Sequence, residues 1–113
     1  MPNVAQPDIW KQRVPLKNDQ LQAFCDRWGV REIAFFGSVL REDFRDDSDL
    51  DVLLTLRPGV VHGFFDWITM TEQLEALFGR TVQLVSRKGV QMSNNAALRA
   101  SILESAEVVH VAG

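Results

Sequence analysis

The chain is poor in several things at once, and each shortage closes a door. It has one cysteine, Cys25, in 113 residues, so no intrachain disulfide can form and a reducing compartment suits it. No apolar run approaches the roughly 18–20 residues that span a bilayer. The opening MPNVAQPDIWKQRVP holds no apolar stretch of the secretory kind, so the expectation is a cytoplasmic protein without a membrane partner. Basic residues are outnumbered, 12 against 15 acidic, for a net charge of −3. That balance does not suit a protein that coats nucleic acid through a broad basic surface. His62 and His110 stand alone, with no Cys, His or acid at zinc-ligand spacing.

What is present describes one folded domain. Hydrophobic residues make up 46% and charged residues 24%, ordinary for a globular protein and too apolar for a disordered one. Three of the four prolines fall in residues 1–16, which show no period and read as an irregular arm with Ile9 and Trp10 as candidate anchors. Residues 17–113 read as a single domain. Leu21, Phe24, Cys25 and Trp28 lie on one helical face. Asn18 or Asp19 is placed to cap that helix and Gly29 to end it.

Ile33-Ala34-Phe35-Phe36 reads as a buried strand stopped by Gly37. An acid-rich connection, Ser38 to Ser48, leads to a second strand over Leu50–Leu56. Between Gly63 and Gly79, the residues Phe64, Trp67, Ile68, Leu74, Leu77 and Phe78 fall near one helical face, with Gly79 as the stop. A third strand is expected at Thr81–Val85, a last helix at Asn95–Ser105 and a fourth short strand at Val108–Val111. Alternating strands and helices imply an α/β layer of helices against a small sheet. The pattern leaves open whether that sheet is parallel or mixed.

The chemistry concentrates in Gly37-Ser38, ten intervening residues, then Asp49-Leu50-Asp51. Alternate residues of a strand share a face, so Asp49 and Asp51 point one way while Leu50 and Val52 point the other. Two such carboxylates can converge on one or two hard cations; magnesium usually takes one or two carboxylates and leaves its other positions to water and phosphate. Gly37 lets the backbone approach a phosphate with no Cβ in the way. Ser38 can open a helical turn whose N–H groups, with its own hydroxyl, hold phosphate oxygens. An anion cradle facing a cation pair is the arrangement of a nucleoside-triphosphate site. Arg41 can reach a phosphate or pair with Glu42 or Asp43. Asp46 and Asp47 read as a solvated loop face, and Cys25 as core.

Gly37-Ser38-x10-Asp49-x-Asp51, between two apolar strands, resembles the DNA polymerase beta nucleotidyltransferase superfamily. The short chain, with Arg41, Asp43, Asp47, Ser48 and the stretch Leu98-Arg99-x-x-Ile102-x-Glu104, is similar to its minimal nucleotidyltransferase branch. The resemblance covers about residues 20–111. It implies an α+β fold, a small, mostly mixed sheet of about three or four strands packed against helices. It implies Asp49 and Asp51 as catalytic and metal-holding residues, with Gly37, Ser38 and Arg41 binding nucleotide. Magnesium, as one or two ions, would be the cofactor, and an NTP, ATP or a related nucleotide, the donor. The acceptor would be a hydroxyl on a HEPN-domain toxin, making the protein an antitoxin; homo- and hetero-oligomers both stay open, and nucleic acid is the less favoured acceptor.

One departure stands out. The family's third carboxylate falls within a segment like Val-Asp-Leu-Val, and here the match is Val82-Gln83-Leu84-Val85. Gln83 brings no charge and cannot act as a general base. The alternative reading is therefore a catalytically weak or silent subunit that neutralises its partner by binding.

Overall fold

A computed structural model describes residues 9–113. Its elements are α1 (Trp10–Arg13), α2 (Asn18–Trp28), β1 (Val30–Phe36), a 3-10 turn (Gly37–Leu40), β2 (Leu50–Leu56), α3 (Phe64–Phe78), β3 (Val82–Ser86), α4 (Arg87–Gln91), α5 (Ala96–Ser105) and β4 (Glu107–Val111). The four strands lie in the order β3-β2-β1-β4. β1 runs antiparallel to both β2 and β4, whereas β2 and β3 are parallel. The parallel pair needs a crossover, which α3 supplies. The sheet is thus mixed, as the resemblance implied. Among the described residues, no helix is long and apolar enough to cross a membrane.

Residues 1–8 of the expected arm lie outside the described residues. The rest of it is not wholly irregular: Trp10–Arg13 form a helical turn, and Trp10 and Val14 are buried. Helix α2 ends at Gly29 with φ +68, in the left-handed region. Neither expected N-cap operates there, because Asn18 is already helical and Lys17 precedes it without a side-chain cap. Asn95 does cap α5, accepting from the Leu98 N–H at 3.0 Å. The short helix α4 has no counterpart in the sequence reading. Ser86 caps it by accepting from the Gly89 N–H at 3.0 Å.

Both faces of the sheet are covered. On one, Val30, Ile33, Phe35, Val52 and Leu54 pack with Leu21, Phe24, Cys25 and Trp28 of α2 and with Met70, Leu74 and Phe78 of α3. On the other, Ala34 and Leu53 pack with Val90 of α4 and Ile102 of α5. Phe35 is fully buried, edge-on to Trp10 at 5.8 Å and to Phe78 at 5.3 Å. Such aromatic pairs add about 0.5–1.5 kcal/mol each beyond area burial, so the end of β1 is firmly set just before Gly37.

Helix α3 departs from the single buried face that its period suggests. Met70, Leu74 and Phe78 turn inward, but Phe64 and Phe65 are 75% and 81% exposed. Val61 and Met92 are similarly open. Trp67 of the same turn packs against the core and donates its Nε1–H to Leu84 O at 3.2 Å, whereas among the described residues nothing covers Phe64 and Phe65.

Candidate functional site

The register of the sheet assembles the site. Asp51 stands opposite Phe36 on β1 and opposite Gln83 on β3. It shares the sheet face of Leu53, while its chain neighbours Leu50 and Val52 enter the opposite core. Asp49, two residues earlier, accepts from the Gln83 amide at 3.5 Å. The two aspartates and Gln83 therefore meet at the end of β2 where β1 passes into the 3-10 turn.

Gly37 has φ +75, a conformation that costs any residue with a Cβ. A Cβ at this position would also stand 2.1 Å from Asp51 Oδ2, well inside any permitted contact. Backbone and carboxylate are in direct apposition, which only glycine allows. Ser38 follows in the 3-10 turn, closed by the Arg41 N–H donating to Ser38 O at 2.9 Å.

Charge in the site is unbalanced. Half-burial raises the Asp51 carboxyl above its ordinary value of 3.8, and the neighbouring Asp49 raises it further, while Arg41 acts the other way. Arg41 itself is paired with Asp43, Nε to Oδ1 at 3.1 Å, with both side chains exposed. That hydrogen bond lowers the Asp43 carboxyl. Arg41 thus reaches the site through its field, not by contact with the aspartates. Among the described residues no group of three His, Cys, Asp or Glu is placed to hold a metal ion; the side chain opposite Asp51 on β3 is the uncharged Gln83. Two carboxylates under mutual repulsion, with an amide beside them, suit a hard divalent cation as a donor set.

Three further residues frame the site, and the sequence reading did not connect them to it. Arg13 Nη1 donates to Val39 O at 2.9 Å, to Ser38 O at 3.5 Å and to Arg41 O. Arg80 Nη1 donates to Ser48 O at 3.0 Å and to Arg45 O at 3.3 Å. Both guanidinium groups lie over the Phe44 ring, at 5.4 and 4.4 Å. No motif announces such contacts, whose hydrogen bonds join residues 25 to 35 positions apart.

At the opposite end of β2, Leu56, Val60, Val61, Phe64, Trp67 and Met92 line an open groove of about 470 Å³. An adjoining cavity of about 380 Å³ is bordered by Arg57, Arg87 and Lys88, and among the described residues no acidic one lies in its wall. Elsewhere, Cys25 is buried, and desolvation pushes its thiol up to about 11. His62 bonds Trp28 O at 2.6 Å and His110 bonds Gln22 Oε1 at 3.1 Å, so both are structural.

A family model described as nucleotidyltransferase domain matches residues 17–109. The chain belongs to the nucleotidyltransferase domain family. Over 66 residues it is 38% identical to the protein adenylyltransferase MntA of Thermococcus cleftensis, a match covering 58% of this chain and 65% of that one. The chain therefore spans just under two thirds of that relative. A solved structure named as a minimal nucleotidyltransferase superposes with a TM-score of 0.63 at 29% identity, covering 94% of this chain and all of that one. A crystal structure of a toxin-antitoxin with AMP-PNP gives a TM-score of 0.61 at 15% identity, covering 82% and 72% respectively, a likeness of fold alone.

Proposed function

We propose that residues 17–113 form a minimal nucleotidyltransferase domain that moves the AMP group of ATP, in the presence of magnesium, onto a hydroxyl of a HEPN-type toxin in the cytoplasm. The observation that carries this reading is the apposition of the Gly37 backbone to Asp51, with Asp49 alongside. Gly37, Ser38 and Arg41 hold the triphosphate, and Asp49 and Asp51 hold the cation. When bound, magnesium supplies charge neutralisation at the phosphates. The acceptor oxygen bonds to the α-phosphorus as the bond to the bridging oxygen breaks, and pyrophosphate leaves. Gln83 cannot take the acceptor's proton, which passes to water, so the reaction is slow. The adenylyltransferase relative and the toxin-antitoxin fold neighbour support the choice of nucleotide and of partner class.

Incubation with labelled ATP, magnesium and the cognate toxin tests it. Label should enter the toxin with wild type and not with Asp49→Asn plus Asp51→Asn. Absence of transfer by both wild type and Gln83→Asp would remove the enzymatic reading.

A second reading rests on a different observation. The exposed Val61, Phe64, Phe65 and Met92 beside the basic cavity form an apolar surface with a cationic rim, of the kind that marks a protein partner. A subunit that captures its toxin there, with a silent nucleotide site, would still neutralise it after Asp49→Ala plus Asp51→Ala. Loss of neutralisation in an intact complex excludes capture alone.

A further inference from the structure

The family match begins at residue 17, yet Arg13, four residues earlier, makes three hydrogen bonds to the site. Its Nη1 donates to the carbonyls of Ser38, Val39 and Arg41. These belong to the 3-10 turn that starts at Gly37 and to the residue that closes it; Ser38 O also accepts the Arg41 N–H at 2.9 Å, and a turn this short leaves its last carbonyls to partners outside it. Arg13 has little freedom to wander. The same turn of α1 places Trp10 edge-on to Phe35, and Val14, next in the chain, is 1% exposed. The arm is thus fixed to the strand that delivers Gly37.

Arg80 does the matching work at the far end of the connection. It projects from the turn between α3 and β3 and holds the carbonyls of Arg45 and Ser48, just before Asp49. Phe44, midway, lies under both guanidinium groups. The connection between the hinge and the first aspartate is thereby fastened at its start, middle and end. It carries four acids, Glu42, Asp43, Asp46 and Asp47, against Arg41 and Arg45, and this excess of negative charge favours an open, solvated loop. Two cations pressed on its backbone oppose that tendency.

We infer that Arg13 and Arg80 are positioning residues of the nucleotide site, and that the segment before the family domain is a working part of it. Together they strap the 37–49 connection so that the Gly37–Ser38 backbone and Asp49 hold a fixed separation. The inference rests on the nucleotide reading above for its effect on binding, but its effect on the loop is independent of that reading.

The test uses the full chain and two measurements: Mg·ATP affinity by calorimetry, and amide hydrogen exchange. Arg13→Gln should weaken Mg·ATP about tenfold and speed exchange at residues 37–49 about tenfold, leaving β1 and β2 protected. Arg80→Gln should act at residues 45–49 in the same sense. Arg13→Lys keeps a cationic nitrogen with three donors and should stay within about threefold of wild type in both measurements. Unchanged exchange at 37–49 in Arg13→Gln overturns the strap. So does acceleration spread equally through β1 and β2, the sign of general destabilisation, and so does an unchanged affinity. If wild type binds no Mg·ATP, the nucleotide reading fails, and the exchange measurement alone decides the strap.

Discussion

Gly37 and Asp51 meet so closely that a methyl group on Gly37 would stand 2.1 Å from Asp51 Oδ2. The glycine is therefore required twice, by its positive φ of +75 and by the carboxylate beside it. The two demands are separable by mutation.

Gly37→Ala should cost about 2–4 kcal/mol in wild type and about 1–2 kcal/mol in an Asp51→Ala background. The residual cost is the backbone strain, since the Cβ of residue 51 lies an ordinary 3.5 Å away. Urea unfolding of the four proteins in the cycle measures the difference. Equal costs in both backgrounds would mean that the side chains do not collide.

Asp51 should make stability depend on pH in a defined direction. Its folded carboxyl is raised above the ordinary 3.8 by burial and then by Asp49, so the folded state binds the proton more tightly than the unfolded one. The stability this contributes is full below about pH 3.8 and is lost as pH rises through the folded value. Asp51→Asn should then melt several degrees higher than wild type at pH 7, with the gap closing near pH 3. Thermal melts across that range check it.

Restoring the missing charge should reverse the chemistry. Gln83→Asp places a third carboxylate directly opposite Asp51 in the parallel register, close to Asp49. The metal-free protein should become less stable at pH 7 through added repulsion. Transfer rate should rise about 100-fold, the bottom of the range for an added general base. Thermal melts with and without magnesium, beside the labelled-ATP assay, read both effects.

Phe65 is 81% exposed on α3. If the proposed capture surface is right, Phe65→Ser should change stability by no more than about 0.5 kcal/mol while weakening binding of the proposed toxin partner about tenfold or more. Calorimetry against the purified toxin distinguishes this from a residue that merely decorates the surface.

Cys25 should be inert in the native state. Its thiol is buried and pushed up to about 11, first by desolvation and then by Asp26, so little thiolate exists at pH 8. A thiol reagent should label it only at the rate of global unfolding.

Much of this site was readable in the chain because its logic is local. The two-residue period predicts Asp49 and Asp51 on one face; Asp51 stands opposite Gln83 in the β2–β3 register, and Asp49, just before β2, accepts from the Gln83 amide at 3.5 Å. Gly29 and Gly79 stop their helices in the left-handed conformation. Three things were not readable, for a common reason. The order β3-β2-β1-β4 depends on pairings between distant segments. Phe64 is exposed because no element among the described residues covers it, a fact about neighbours that helical periodicity does not contain. Arg13 finds its carbonyl partners 25 to 28 positions away, and nothing in its own surroundings marks it out.

Asp51 occupies an inner strand between two partners of opposite direction. A slip of one residue along either ladder would turn the carboxylate into the oily interior and bring Val52 or Leu50 out to water. Misaligned chains are thus penalised by the same side chain to which the proposed function assigns the cation, so correct pairing of β2 and alignment of the proposed site are one event.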